Sequence, residues 1–482
     1  MEEKESQPRK LGLLMMVSVI LAGAIGTGVY DISYQIATVA SPGAALIAWA
    51  LSFCGMLMLI LTLMHLLKVE KGVTGLFVYA EEGFGPLGGF LSGWGYWMSG
   101  WIGNIGYCAM MMTCLGAFFP VLGTDGTSWP AIVLASVILW VVFFLINRGV
   151  ENTVVLNSII TAVKLVPLVV FAAIMLMAFD FGMFTTDFWT NFAGNVAVAG
   201  EGFDPASVGG QITDSLLSII WVFMGVEGAA LMSHRAKSQA VASRASILGL
   251  IGLTVVVMLI SMVPYGVMTT DEIAALGEPS VAQIMGKYMG PAGTLVIMGA
   301  IAFTIFGCLI SWTLVPMEST LQLAERGLLP KRFAELNKNG VPTFSLLLCT
   351  ILANILLVTT HFTEAAYNFC YSLSASSILV TWAFVTAYAV KRCIQNPDEP
   401  GRVKYLVIAV IGTLYFLYAM FISGLVYILL CCAVYVIGFY FYAKGRRESG
   451  CDQPFTGREK AVVAIICIAA VAGVAMYAMG MA

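Results

Sequence analysis

The sequence predicts an all-α polytopic membrane protein. Of its 482 residues, 60% are hydrophobic and only 11% are charged, and the mean hydropathy is +0.91. Soluble domains carry about twice that share of charged residues. Apolar stretches of about 20 residues, the length that crosses a bilayer as a helix, recur along the whole chain. No cleavable signal peptide is expected, so the first apolar stretch should remain in the membrane.

The apolar stretches predict about 13 transmembrane helices. The uncharged run from Tyr405 to Ala443 is too long for one crossing, so we expect a tight turn at Ser423 and Gly424. The third and eighth stretches are also long and should be tilted or project from the bilayer. The predicted spans are 12–38, 43–67, 86–119, 129–147, 151–179, 211–234, 245–268, 291–322, 343–360, 365–390, 404–422, 425–443 and 461–481.

The distribution of basic residues predicts a cytoplasmic N-terminus. With that orientation, all 24 Lys and Arg residues except Lys164 and Lys287 fall in cytoplasmic segments. Lys164 lies within the fifth span, and Lys287 alone falls outside. This asymmetry is typical of multi-pass proteins of the cell membrane. The thirteenth span then places the C-terminus outside.

The first span contains a glycine-rich interruption near its middle. Gly23, Gly26 and Gly28 stand where an ordinary membrane helix would carry Leu or Ile. A helix that breaks at this depth must be buried in protein or line a cavity. The amides at the start of the second half would then face an anionic group such as a carboxylate. Taken alone, the stretch equally fits a small-residue face for helix packing.

The sixth span repeats this feature, since Gly225 and Gly228 flank Glu227 in mid-membrane. Interruptions in the first and sixth spans indicate inverted five-helix repeats with a binding site between them. Glu227 is therefore a candidate for coupling or gating, because a carboxyl at bilayer depth is costly unless it is protonated or faces a polar cavity.

A five-plus-five inverted-repeat transporter fold with broken helices 1 and 6 divides the chain into four parts. We expect a cytoplasmic tail over 1–10, a first repeat over 11–200 and a second repeat over 201–395. The remaining spans, 11 to 13, occupy 396–482.

Lys164 is the second intramembrane charge and the second coupling candidate. Its ammonium could occupy the place of a coupling sodium ion and bridge carbonyls of the broken first helix, or it could titrate. Snorkelling to the interface is the alternative, but Lys164 lies near the middle of its span, beyond easy reach of either end.

Several functions are excluded or disfavoured by what the sequence contains. The net charge of −3 indicates no nucleic-acid partner, and the eleven cysteines include no CxxC pair. We expect no metal and no cofactor. The three histidines, His65, His234 and His361, lie apart near span ends, so an enzyme is not expected. No GxxxxGK[ST] motif is present, so transport should draw on solute or ion gradients. A channel is a further alternative, because glycine-broken helices also line pores.

Four motifs in order resemble the basic amino acid/polyamine antiporter family of the amino acid/polyamine/organocation superfamily. The resemblance covers about residues 10–395 and is closest to the arginine/ornithine antiporter branch. The motifs are Gly26-Thr27-Gly28-Val29-Tyr30, Tyr96 to Asn104 (YWMSGWIGN), Trp221 to Glu227 (WVFMGVE), and Ser311 to Leu314 with Ala324 to Pro330.

The resemblance implies a role for each matched residue. The Ala24 carbonyl and the amides of Thr27 and Gly28 would hold the α-amino and α-carboxylate groups of an amino acid. Trp221 would stack on a cationic side chain, and Asn104 would accept hydrogen bonds from its tip. The remaining implied site residues are Gly26 and Met224 in the lining and Tyr96 and Trp312 as gates.

The resemblance leaves some positions open. Ser374, Ser376 and Ser377 in span 10 are equally plausible contacts, and Gly100 is expected to enlarge the pocket. Aromatic residues such as Trp221 could also be ordinary core.

The function expected is exchange of arginine or lysine for a related amino acid or amine such as ornithine. The role expected for Lys164 in place of sodium would make this exchange sodium-independent. The alternative is a proton-coupled or facilitative permease for neutral amino acids. The expected partners are the substrates and the bilayer, and a homodimer is left open.

Overall fold

The structure is a computed structural model, in which nearly every element is an α-helix. The predicted tail 1–10 and residues 232–235, which include His234 and the end of the sixth predicted span, lie outside the described part of the chain. The described residues are 11–70, 75–149, 154–193, 196–198, 203–231, 236–362 and 366–479.

Seventeen helices and one short hairpin are described. The strands β1 (Asn191–Ala193) and β2 (Val196–Val198) pair antiparallel between the seventh and eighth helices. The helices are α1 (Leu13–Ala24), α2 (Thr27–Ala37), α3 (Pro42–Val69), α4 (Leu76–Gly116), α5 (Trp129–Asn147), α6 (Val154–Ala178), α7 (Phe181–Thr186), α8 (Pro205–Phe223), α9 (Gly228–Leu231), α10 (Gln239–Met262), α11 (Thr270–Ala274), α12 (Ser280–Glu325), α13 (Thr343–Thr359), α14 (Ala366–Gln395), α15 (Arg402–Ile422), α16 (Leu425–Glu448) and α17 (Gly457–Ala478).

Among the described residues, ten helices are long and apolar enough to cross a membrane, and the bent pair α1 and α2 makes an eleventh candidate span. The polytopic all-α fold is thereby confirmed. Helices α4 and α6, which cover most of the third and fifth predicted spans, are not among those ten or the bent pair. The total of 13 spans therefore stays a prediction.

The two longest helices are each kinked at a Gly-Pro pair. Gly85, before Pro86, has a φ of +80°, and Gly290, before Pro291, has a φ of +69°. Both values lie in the left-handed region that glycine adopts without strain. The predicted third and eighth spans begin at these kinks, at 86 and 291. The residues before each kink form a helix at an angle to the span.

Helix α4 lies at the centre of the bundle and packs against α12 and α14. The hydroxyl of Ser319 on α12 is shared between the Pro316 carbonyl of its own helix at 2.6 Å and the Gly93 carbonyl of α4 at 3.1 Å. Thr381 on α14 donates to the Ser92 carbonyl at 2.7 Å. These hydroxyls hold two neighbouring helices to one turn of α4. The site residues on α4 and α12 are therefore carried by packed, directly connected elements.

The C-terminal helices form a hairpin and a peripheral helix. The predicted turn at Ser423 and Gly424 is confirmed, because α15 ends at Ile422, α16 begins at Leu425 and Gly424 has a φ of +94°. Helix α17 begins with a capping box between Thr456 and Glu459. It leaves many large apolar side chains exposed, including Ile465, Ile468 and Val471. Such a surface suits contact with lipid.

Candidate functional site

The first break separates α1, which ends at Ala24, from α2, which begins at Thr27, and the two axes differ by 56°. Gly26 precedes α2 and supplies no side-chain cap. The N–H groups of the first turn of a helix have no intrahelical partner, so those at Thr27 and Gly28 suit an anion.

Carbonyl groups at the end of α1 accept hydrogen bonds from distant helices. The Trp312 Nε1 atom donates to the Gly23 carbonyl at 3.2 Å, and the Cys308 thiol lies 3.8 Å from the Ile25 carbonyl. Both donors belong to α12. The break is therefore fixed by specific contacts, as an interruption at membrane depth requires.

The second break lies directly against the first. Helix α8 ends at Phe223, α9 begins at Gly228, and Gly225 between them has a φ of +96°. A Cβ atom at Gly225 would lie 3.1 Å from the carbonyl carbon of Gly23. Both the backbone conformation and this close approach require glycine. The two glycine interruptions predicted from the sequence are thus brought together in space.

Glu227 lies in the second break and is fully buried. The Tyr96 hydroxyl donates to its Oε1 atom and the Gly225 amide donates to its Oε2 atom, both at 3.2 Å. No ion pair is recorded for Glu227 among the residues that the structure describes. The carboxyl group therefore connects the break to α4 through neutral donors.

Trp221, with 6% of its surface exposed, lies between the start of α2 and the middle of α4. A Cβ atom at Gly28 would lie 2.5 Å from its Cδ1 atom, and one at Gly103 would lie 3.1 Å from its Cη2 atom. The pyrrole end of the indole therefore faces α2, and the benzo end faces α4. The rings of Tyr107 and Tyr371 have centroids 5.7 and 6.0 Å from it. Met224 is buried at the end of the same helix, and its amide donates to the Trp221 carbonyl.

Lys164, on α6, points at the first break. Its Nζ atom donates to the Ala22 carbonyl at 2.6 Å, and only 2% of the residue is exposed. The Tyr30 hydroxyl on α2 donates to the Lys164 carbonyl at 2.8 Å. One residue thus contacts both halves of the broken helix. This geometry is not that of a side chain snorkelling to the interface.

Ser374 lies near the benzo end of Trp221, since a Cβ atom at Gly103 would lie 3.0 Å from its Oγ atom. Asn104, the next residue on α4, contacts α12. The Nδ2 atom of Asn104 donates to Thr313 on α12 at 2.9 Å. Ser374 donates across to the Ser99 carbonyl on α4 at 2.6 Å. The other two candidate serines, Ser376 and Ser377, donate to carbonyls of their own helix. Of the three, Ser374 is the one whose hydroxyl bridges to α4.

The expectation for Gly100 was wrong. A Cβ atom there would lie 2.2 Å from the Cγ atom of Pro316 and 2.9 Å from the Trp312 carbonyl oxygen. The space left by the missing side chain is filled by α12. Gly100 therefore permits close helix packing and does not enlarge a pocket.

A second polar cluster lies at the far end of α2. The Nε2 atom of Gln35 lies 2.8 Å from Asp31, 3.1 Å from Glu278 and 2.8 Å from Asn368. The Ser280 amide also donates to Asp31, at 3.1 Å. Burial raises the pKa of the Glu278 carboxyl to about 7, so it keeps its proton at a pH where an exposed glutamate has lost it. The cluster joins α2 to α14 and to the segment before α12.

The sequence reasoning missed this cluster. Asp31 and Gln35 are four residues apart in an apolar span, which places both on one helix face. An intramembrane carboxylate such as Asp31 is a functional candidate by default, so this signal was available. Glu278 and Asn368 carry no local signal, because only the fold brings them to α2.

Most of the predicted site residues thus lie at the two breaks or contact them. Ala24, Gly26, Thr27 and Gly28 form the first break, and Met224 and Glu227 form the second. Tyr96, Trp221 and Trp312 contact the breaks. Asn104 bonds to Thr313, the residue after Trp312. Among the residues that the structure describes, no group of three His, Cys, Asp or Glu side chains is arranged to hold a metal ion.

Comparison with known proteins agrees with the predicted resemblance. Residues 11–429 match the family model described as "Amino acid permease". The arginine/ornithine antiporter of Latilactobacillus sakei is 37% identical over 477 residues, which cover 99% of each chain. The arginine/ornithine antiporter of Pseudomonas aeruginosa is 34% identical over 99% of each chain. The arginine/agmatine antiporter of Chlamydia caviae is 32% identical over 97% of this chain and 96% of its own. The chain belongs to the amino acid permease family, within the amino acid/polyamine/organocation superfamily.

Proposed function

We propose that the protein is a secondary-active antiporter of the cell membrane. It exchanges a cationic amino acid, arginine or lysine, for a related amino acid or amine such as ornithine. The observation that carries this proposal is the contact between the two breaks, with Trp221 directly against the start of α2. The names of the relatives favour a cationic substrate over the neutral substrates of a permease. No chemical transformation of the substrate is proposed.

The substrate lies along Trp221 in this proposal. Its α-carboxylate accepts from the Thr27 and Gly28 amides at the pyrrole end of the indole, and its α-amino group donates to the Ala24 carbonyl. The cationic side chain then runs across the ring toward α4 and Asn104. This direction is supported by the contacts of Trp221 with Gly28 at one end and Gly103 at the other.

The gating and coupling residues surround this position. Tyr96 on α4 donates to the second break, and Trp312 on α12 donates to the first. Both side chains would have to move as access alternates. Glu227 couples the second break to Tyr96. Lys164 takes the place of a sodium ion at the first break, which makes exchange independent of sodium.

Two paired features support inverted repeats over 11–200 and 201–395. The breaks occur in the first and sixth predicted spans, and the Gly-Pro kinks occur in the third and eighth, again five spans apart. The remaining part, 396–482, lies after the second repeat. The distribution of Lys and Arg supports a cytoplasmic N-terminus.

Counterflow in proteoliposomes tests the proposed exchange. Vesicles containing the purified protein are loaded with ornithine, with citrulline or with buffer, and uptake of labelled arginine is measured. Uptake should be fast only with ornithine inside, since antiport requires a substrate on both sides. Arginine uptake that is unaffected by the internal solute would contradict obligatory exchange. Uptake of neutral amino acids driven by a proton gradient would favour the permease.

Glu227→Gln is expected to flatten the pH dependence of this exchange. Glutamine keeps the length of the side chain but cannot release a proton, and its NH2 group would face one of two donors, the Gly225 amide or the Tyr96 hydroxyl. Counterflow should be measured between about pH 5 and pH 8, the range in which buried carboxyl groups titrate. The exposed Glu325 provides a control, Glu325→Gln. A Glu227→Gln profile identical to that of the wild type would assign proton sensing to another residue.

A further inference from the structure

The side-chain amide of Asn104 has only one orientation compatible with its neighbour. Thr313 has a single hydroxyl hydrogen, and it donates that hydrogen to the Leu309 carbonyl at 2.6 Å. The Thr313 oxygen, which lies 2.9 Å from the side-chain amide of Asn104, can therefore only accept a hydrogen bond from it. The atom of Asn104 that faces Thr313 must be the donor Nδ2. The hydroxyl of Thr313 thus decides which way the amide is turned.

The other atom of this amide, Oδ1, is left without a partner. Only 2% of the surface of Asn104 is exposed to solvent. Its Oδ1 atom is buried and has no hydrogen-bond partner within the described part of the chain. Buried carbonyl oxygens are rarely left unpaired, because the lost hydration is not replaced. The unpaired acceptor belongs to a residue that bonds to Thr313. Thr313 follows Trp312, whose indole donates to the first break.

We propose that Thr313 is a specificity-determining residue, which positions Asn104 so that its Oδ1 atom accepts from the side-chain end of the substrate. This inference rests on the proposed function and specifies its selectivity. Guanidinium and ammonium groups carry only donors, so they satisfy Oδ1 at any rotation. A ureido group, which has an oxygen in place of one nitrogen, offers an acceptor as well and has no charge.

Arginine and citrulline have nearly the same shape, but the protein should bind arginine more tightly. Both amino acids place the same α-amino and α-carboxylate groups at the first break. They differ only at the end of the side chain, where Asn104 presents an acceptor. If the amide could rotate freely, its NH2 group would donate to the ureido oxygen of citrulline. Thr313 accepts one of the two Nδ2 hydrogens and so holds Nδ2 on its own side, which leaves Oδ1 as the atom that faces the substrate.

Thr313→Val removes the hydroxyl and keeps the shape of the side chain, whereas Thr313→Ser keeps the hydroxyl. Binding of labelled arginine to the purified protein should be competed with unlabelled arginine and with citrulline. The inhibition constant of citrulline divided by that of arginine should fall by at least about tenfold in Thr313→Val. A factor of this size corresponds to one hydrogen bond to a charged group. Thr313→Ser should restore the ratio. A merely structural role would weaken both ligands together.

A matched control lies farther along the same helix. The buried hydroxyl of Thr320 donates to the Met317 carbonyl and contacts Ser345, away from the breaks. Thr320→Val should therefore leave the arginine-to-citrulline ratio unchanged. A wild-type ratio in Thr313→Val, or an equal change in both control and test variants, would overturn the inference. Because the readout is binding, failure of exchange in vesicles would contradict the antiport proposal separately.

Discussion

Replacing Trp221 with leucine is expected to weaken arginine binding by at least about 2 kcal/mol, or roughly 30-fold. The indole is buried, so a cation stacked on it is shielded from water, where cation–π contacts are strongest. Leucine keeps an apolar side chain but removes the ring. Alanine is the poorer choice, since removing a buried tryptophan to alanine costs about 3–5 kcal/mol of stability by itself.

Equilibrium binding of arginine to the purified variant measures this effect. Trp221→Phe is the control, because it retains an aromatic face at the same place and should lose much less affinity. Both variants should elute from a size-exclusion column as the wild type does, which shows that they are folded. Wild-type affinity in Trp221→Leu would remove Trp221 from the site and leave it as ordinary core.

Lys164→Met is expected to lower the exchange rate by about 100-fold, with wild-type exchange independent of sodium. The substitution leaves the Ala22 carbonyl unpaired and removes the positive charge from the first break. Loss of a buried hydrogen bond to a charged group costs up to about 3 kcal/mol. An activation free energy raised by that amount slows exchange by about 100-fold. Methionine fills similar volume, so the effect should come from the lost ammonium group.

The measurement is counterflow of arginine with sodium present and with sodium replaced by choline. Lys287→Met is the matched control, since that lysine is exposed on α12 and contacts neither break. It should exchange arginine at the wild-type rate. A steep sodium requirement in the wild type, or normal exchange by Lys164→Met, would contradict the role proposed for Lys164.

The features that could be predicted from the sequence are those with a local signal. The glycines at 23–28 and 225–228 marked both breaks, and Gly424 marked the C-terminal turn, because backbone conformation depends on nearby residues. The apolar pattern placed the span starts at 86 and 291, where the structure has kinks. Lys164 and Glu227 were identifiable because charge is rare at bilayer depth.

The features that could not be predicted depend on pairs far apart in the chain. Thr313 orients Asn104 from another helix, and Glu278, which contacts Gln35, lies 243 positions from it in the sequence. Gly100 was misread because its neighbour, Pro316, is brought there only by packing of α4 on α12. For the same reason, only the packed structure shows that Ser374 donates to α4 whereas Ser376 and Ser377 donate within their own helix. A single sequence shows which residues are polar, but not which partner each one meets.

The central claim is that the two breaks hold one cationic amino acid along Trp221. A structure determined with arginine bound tests it most directly. We expect the α-carboxylate at the Thr27 and Gly28 amides, the guanidinium group near Asn104 Oδ1, and the aliphatic part of the side chain over the indole of Trp221. Arginine bound in the reverse direction, or bound only at the Asp31 and Glu278 cluster, would contradict the account.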